Sequence, residues 1–144
     1  MNRIRIFNIN IDNFSMHQTL ERIENSIIQN EKLHHVVVNA GKIVAMQTDS
    51  KLRKSVNSCD LINADGQAVV WASRVLGQPL KERVAGIDLM ENLVALAHKK
   101  NYKVFFFGAK EDVVSKVVQK YSSQYSKTII AGYRNGYFTK EEEQ

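Results

Sequence analysis

At 144 residues, 44% hydrophobic and 24% charged, the chain has the length and apolar content of one domain with a buried core, and this excludes disorder for its bulk. Its formal charge of +5 is spread over separate groups (Lys51, Arg53 and Lys54; Lys81 and Arg83; Lys99, Lys100 and Lys103), which favours phosphates, nucleic acid or an anionic membrane without choosing among them. The lone Cys59 excludes an internal disulfide, and the densest apolar run, Val104–Phe107, is far shorter than the roughly 20 residues of a membrane span, so a cytoplasmic protein is expected.

In chain order, Arg3–Asn8 alternates Ile4 and Ile6 with polar neighbours, the period-two pattern of an opening strand, which Ile9 and Ile11 are expected to extend past a bend. Ser15 precedes Gln18 by the capping-box spacing and opens a helix with Leu20, Ile23 and Ile27 on its inner face, ending near Asn30. His35–Asn39 reads as a short buried strand, followed at once by a helix carrying Ile43, Val44 and Gln47. A second short helix, Lys51–Asn57, leads to a strand at Asp60–Asn63. After Ala64-Asp65-Gly66 comes a helix through Val69, Val70, Ala72, Ser73 and Leu76, with Trp71 expected to pack inside and Gly77 as its C-terminal cap.

Pro79 and Gly86 bracket an irregular loop. Asp88–Lys100 is expected as a helix with Asp88 as N-cap, Leu89, Leu93, Leu96 and Ala97 inward, and a basic end that suits its dipole. Val104–Phe107 is apolar on both faces, as at the centre of a parallel sheet. Gly108-Ala109-Lys110 turns into a helix carrying Val113, Val114, Val117, Val118 and Tyr121, and Thr128–Ala131 is the last clear strand. Strands alternating with helices at this spacing predict an α/β, Rossmann-like fold: an open, largely parallel sheet flanked by helices. Ligands bind such sheets at the carboxyl ends of the strands, which here are marked by Asn39, Asp65, Gly108 and Gly132.

Of these, Asp65 is the sharpest signal. A carboxylate between a strand and a helix start can cap the helix or take a proton from a substrate hydroxyl, and local sequence leaves both open. Asn39 can orient a sugar hydroxyl or acetamido group, or cap its helix. Arg83 can clamp a diphosphate, or remain a surface arginine paired with Glu82. Gly108-Ala109-Lys110 has the form of half a phosphate-binding turn, but neither GxGxxG nor a Walker loop is present. Gly132-Tyr133 and Gly136-Tyr137-Phe138 form an aromatic-glycine loop in which Tyr137 can stack on a base or simply pack. His34, His35 and His98 lack partners at metal-ligand spacing, so no metal is expected. Met16, Met46 and Met90 read as core filler.

The block from Asp60 to Gly77, DLINADGQAVVWASRVLG, followed by Lys81 to Leu89, KERVAGIDL, closely resembles the TagA/WecG/CpsF glycosyltransferases. The strand ending in Asn39, the turn Val104–Ala109 and the tail Gly136–Phe138 support the likeness, which spans roughly residues 33–138. The resemblance implies an inverting, metal-independent transferase without cofactor. Its donor is UDP-N-acetylmannosamine or a related UDP-sugar, and its acceptor is N-acetylglucosamine on undecaprenyl diphosphate. Such enzymes feed teichoic acid or surface polysaccharide synthesis from the inner face of the cell membrane, as peripheral proteins that do not bind nucleic acid.

By the same likeness Asp65 is the general base, and Asn39, Gln67, Arg83 and Gly86 belong to the substrate pocket. Gly108, Ala109, Lys110, Gly132 and Tyr137 fall where the nucleotide is expected. Val37 stands where many members carry Thr. Members of the family continue past a helix starting at Lys140–Gln144 into a further strand, a Gly-x-Pro-x-Gln-Glu motif and a basic appendage. Residues 1–144 are therefore expected to be a single glycosyltransferase domain lacking its C-terminal part, whose exposed apolar surface favours self-association. The rival reading is a non-catalytic nucleotide- or phosphate-binding α/β domain; a dinucleotide-dependent oxidoreductase is disfavoured by the missing glycine fingerprint.

Overall fold

A computed structural model describes residues 3–142. The fold is α/β, and the chain divides after Met90 into two compact units. In the first, β1 (Arg3–Ile6) and β2 (Ile9–Asp12) form an antiparallel hairpin with Ile4 opposite Ile11. Phe7 and Asn8 make its two-residue turn with φ of 48° and 64°, the left-handed geometry that matches strand twist. Ile9 and Ile11 thus run back along the first strand instead of extending it.

Helix α1 (Met16–Ile28) opens with the full capping box: Gln18 N–H donates to Ser15 Oγ at 3.2 Å and Ser15 N–H to Gln18 Oε1 at 3.1 Å. It closes on Asn30 (φ 54°), whose N–H reaches Ile27 O while that of Glu31 reaches Ser26 O, a Schellman ending. The side turned inward differs from the expected one. Thr19 and Ser26 are buried, whereas Leu20 and Ile23 are half-buried and Ile27 is exposed. Both buried hydroxyls satisfy themselves on their own helix, Thr19 on Ser15 O and Ser26 on Arg22 O.

Strands β3 (His35–Val38) and β4 (Leu61–Ala64) pair in parallel, with Val37 beside Asn63, across a crossover made of α2 (Ala40–Thr48) and α3 (Ser50–Asn57). All four residues of β4 are buried, as its apolar run requires. Beside β4, the buried Asp12 accepts from Ile62 N–H at 2.8 Å and from Arg3 Nε at 2.8 Å, so its charge is compensated from both sides. Met46, Val56, Ile62 and Val70 join Ile9 and Ile11 in the core between hairpin, strands and helices.

Helix α4 (Gln67–Val75) buries Val69, Val70 and Ser73 and ends, as expected, on Gly77 (φ 72°). Trp71 does not pack inside. It lies on the outer face, 61% exposed, because the buried stripe falls on either side of it. Helix α5 (Gly86–Lys100) starts at the glycine, so Asp88 is a first-turn acid and not the N-cap; Leu89 and Ala97 are buried, Leu93 and Leu96 half-buried. Of the expected methionine filler only Met46 is fully buried, and Met90 is exposed.

The second unit pairs β5 (Val104–Phe107) with β6 (Ile130–Arg134) in parallel across α6 (Glu111–Gln124) and a 3-10 turn at Lys127–Ile129. The last strand therefore begins two residues later than expected. Phe106, Val114, Tyr121 and Ile129 gather with Val94 in its core, the rings of Phe106 and Tyr121 stacking at 5.7 Å. Among the described residues β5 has one partner strand, and Phe105 and Phe107 are exposed; it is not the doubly covered central strand its composition suggested.

Candidate active site

Strands β3 and β4 end side by side, and their next residues are Asn39 and Asp65. Asp65 N–H donates to Val38 O at 2.8 Å, which holds the residue at the strand end. Gly66 (φ 141°) then turns the chain into α4, and no side chain caps that helix. The Asp65 carboxylate serves a different element: Oδ2 accepts the N–H of Gly86, first residue of α5, at 3.1 Å. Among the described residues nothing else donates to it.

Asn39 is the N-cap of α2, its Oδ1 accepting Lys42 N–H at 2.8 Å, and among the described residues its amide donors meet no acceptor. It lies next to the Asp65 turn: a methyl group on Gly66 would stand 3.8 Å from Asn39 Cβ. One on Gly86 would stand 3.3 Å from Val37 Cγ2 and 3.7 Å from Asp65 Oδ2. Val37, Asn39, Asp65, Gly66 and Gly86 are therefore one cluster, assembled from residues up to 49 apart in the chain. Gln67 is exposed at the first position of α4. Arg83, on the loop into α5, is half-exposed and pairs with Asp88 at 3.6 Å rather than with Glu82, whose carboxylate accepts Met16 N–H.

Behind this cluster runs a partly buried polar chain that local sequence did not reveal. His35 Nε2 lies 2.9 Å from Asn63 Oδ1, and Asn63 Nδ2 donates to Thr19 Oγ1 at 3.1 Å. With the amide donors engaged on Thr19, Asn63 Oδ1 is the acceptor and His35 carries its proton on Nε2. Burial lowers the His35 pKa, partly opposed by that hydrogen bond. The only sequence signal was a polar Asn inside an otherwise apolar strand.

In the second unit Gly108 (φ 130°) and Ala109 (φ 59°) form the turn between β5 and α6, and Lys110 stands at the helix N-terminus without a side-chain cap bond. Gly108 N–H donates to Arg134 O at 3.0 Å and Gly136 N–H to Ala109 O at 2.9 Å. A methyl on Gly136 would approach Gly108 Cα to 3.2 Å, so the aromatic-glycine loop is pressed directly on the turn. Tyr137 projects beside it, 73% exposed, its N–H held by Asn135 Oδ1 at 2.9 Å. Gly132 lies apart from this turn under the ring of Phe105, where an added methyl would come to 2.9 Å.

Among the described residues no three His, Cys, Asp or Glu side chains gather around a common point, and no helix is long and apolar enough to cross a membrane.

The profile of the Glycosyl transferase WecG/TagA/CpsF family matches residues 4–144. Three curated relatives are each named N-acetylglucosaminyldiphosphoundecaprenol N-acetyl-beta-D-mannosaminyltransferase. That of Bacillus subtilis (strain 168) is 35% identical over 134 residues, 92% of this chain and 52% of the relative. That of Bacillus spizizenii is 36% identical over 88 residues, 61% of this chain and 34% of the relative. That of Staphylococcus aureus (strain NCTC 8325 / PS 47) is 30% identical over 143 residues, 98% of this chain and 56% of the relative. The chain spans about half the length of the first and third of these relatives. With a profile match over nearly its whole length, the chain belongs to the WecG/TagA/CpsF family of glycosyl transferases.

Proposed function

We propose that this chain carries the acceptor-activating part of an inverting, metal-independent transferase. The reaction moves N-acetylmannosamine from UDP to N-acetylglucosamine on undecaprenyl diphosphate, with the protein peripheral to the inner face of the cell membrane. The observation that carries this reading is the Asp65 carboxylate, held at the end of β4 by Gly86 N–H at 3.1 Å, its other oxygen without a donor among the described residues. The acceptor hydroxyl oxygen attacks the anomeric carbon while its proton passes to Asp65. The bond from that carbon to the diphosphate breaks on the opposite face, and its electron pair leaves on UDP, so configuration inverts.

The neighbouring groups take supporting roles. Asn39 and Gln67 offer amide donors and acceptors for the sugars, and Gly86 lets the chain approach closely. Arg83 can exchange its exposed partner Asp88 for the leaving diphosphate. In the second unit, taken by itself, the Gly108-Ala109-Lys110 turn opens an uncapped helix suited to phosphate oxygens, and Tyr137 is exposed for stacking on a base. Gly132 is assigned to the nucleotide on the family resemblance alone.

Transfer from UDP-N-acetylmannosamine to a lipid-linked N-acetylglucosamine analogue, in the presence of a chelator, tests the reading. Asp65→Asn should slow product formation by about 100- to 10,000-fold while leaving UDP affinity within about tenfold. An Asp65→Asn protein that stays fully active ends the assignment. Tight UDP binding by the wild-type chain with no product favours the non-catalytic nucleotide-binding reading instead.

A further inference from the structure

Beside the Asn39–Asp65 cluster lies a groove of about 140 Å³ whose lining is entirely apolar. One end is made by Ala40 and Ala68, the residue after Asn39 and the second residue past Gly66. Val44 and Ala72 continue the lining one turn along α2 and α4. Phe7 lines it too; its carbonyl accepts from Gln47 Nε2, near the far end of α2, at 3.3 Å. Three alanines keep the trough open, since any longer side chain at 40, 68 or 72 would fill it. Val44 and Phe7 are 69% and 52% exposed, so the groove opens to solvent with apolar walls.

We propose that this groove seats the first isoprene unit of a polyprenyl-diphosphate acceptor; the inference rests on the acceptor class given under the proposed function. Three observations select that occupant. The groove starts within two residues of the cluster where the acceptor sugar would react, near enough for a tail joined to that sugar through a diphosphate. It has no polar lining residue, so sugar, phosphate or peptide backbone would be desolvated there without compensation. Its volume is that of a small hydrocarbon group: a dry apolar cavity of about 150 Å³ accepts a benzene-sized molecule, comparable to one branched five-carbon unit. The tail then fixes the diphosphate near the helix starts, and each buried methylene adds to affinity.

Trp71, the chain's single tryptophan, precedes Ala72 on α4 and is exposed, so its fluorescence reports on this surface. Farnesyl diphosphate, titrated below its micellar threshold into the intact chain, should change that fluorescence saturably, and inorganic diphosphate should not. Ala72→Leu, which fills the trough, should weaken the response by about tenfold or more. Val44→Asp, at a position already exposed, should do the same and serves if Ala72→Leu fails to fold. Neither measurement involves donor or transfer, so a chain that binds farnesyl diphosphate here but makes no product counts against the proposed function alone. The inference is overturned if farnesyl diphosphate gives no saturable change, or if the variants bind it as tightly as wild type. A dimer in sedimentation that Val44→Asp splits, with no response to the isoprenoid, also overturns it and gives the groove to a second copy.

Discussion

The carboxylate of Asp65 caps the first amide of a helix that begins 21 residues later, accepting Gly86 N–H at 3.1 Å. One side chain is thus both a structural cap and the proposed base, and the two roles separate by substitution. Asp65→Ala removes the acceptor and should cost about 1 kcal/mol in denaturant unfolding. Asp65→Asn keeps an acceptor oxygen for Gly86 and should stay within about 0.5 kcal/mol of wild type, so its loss of transfer would not come from unfolding.

Arg83 should behave in the opposite way. Its ion pair with Asp88 is long, 3.6 Å, and both side chains are about half exposed. Arg83→Ala should change unfolding free energy by no more than about 0.5 kcal/mol. If the guanidinium meets the diphosphate, the same variant should bind UDP more weakly by calorimetry.

Stability should decline in mild acid through His35. Burial depresses its pKa below the ordinary value of 6.5. As pH falls, the unfolded chain therefore takes up a proton that the folded chain resists. The contribution is complete above the unfolded pKa and is lost as pH drops towards the folded one. Urea unfolding followed from about pH 7.5 to about pH 5 should show this slope. His35→Gln, which retains a donor for Asn63, should flatten part of it.

Gly136 should tolerate no side chain without a response from the Gly108 turn. The methyl of Gly136→Ala would meet Gly108 Cα at 3.2 Å and Ala109 N at 3.5 Å, both backbone atoms that cannot rotate away. A loss of about 1–3 kcal/mol is expected in thermal or urea unfolding. If that turn holds phosphate, UDP binding should weaken as well.

Signals carried within a few residues are legible in the sequence: the Ser15–Gln18 capping box, the Gly77 helix ending, the alternation of strands and helices, and the placement of Asn39 and Asp65 at strand ends. What escaped depended on partners distant in the chain. Asp65 stood out locally, but its partner Gly86 is set by the loop through Val84, whose N–H bonds Ala64 O. The period of α1 was right and its phase wrong, because Thr19 and Ser26 can be buried once they bond their own helix. Trp71 was misplaced for a related reason: apolar character marks a residue as able to pack, not as turned inward. The hairpin was read as a bend because Phe7-Asn8 lacks the glycine that usually announces such a turn.

That turn has a consequence for engineering. A left-handed residue other than glycine costs roughly 1–2 kcal/mol, and Phe7, at φ 48°, carries such a conformation on an aromatic residue. Exchanging Phe7-Asn8 for Asn-Gly should therefore give a sturdier hairpin and a higher melting temperature. The same exchange would strip the trough beside α2 and α4 of its only ring, so a hardier protein would be a poorer host for isoprenoid.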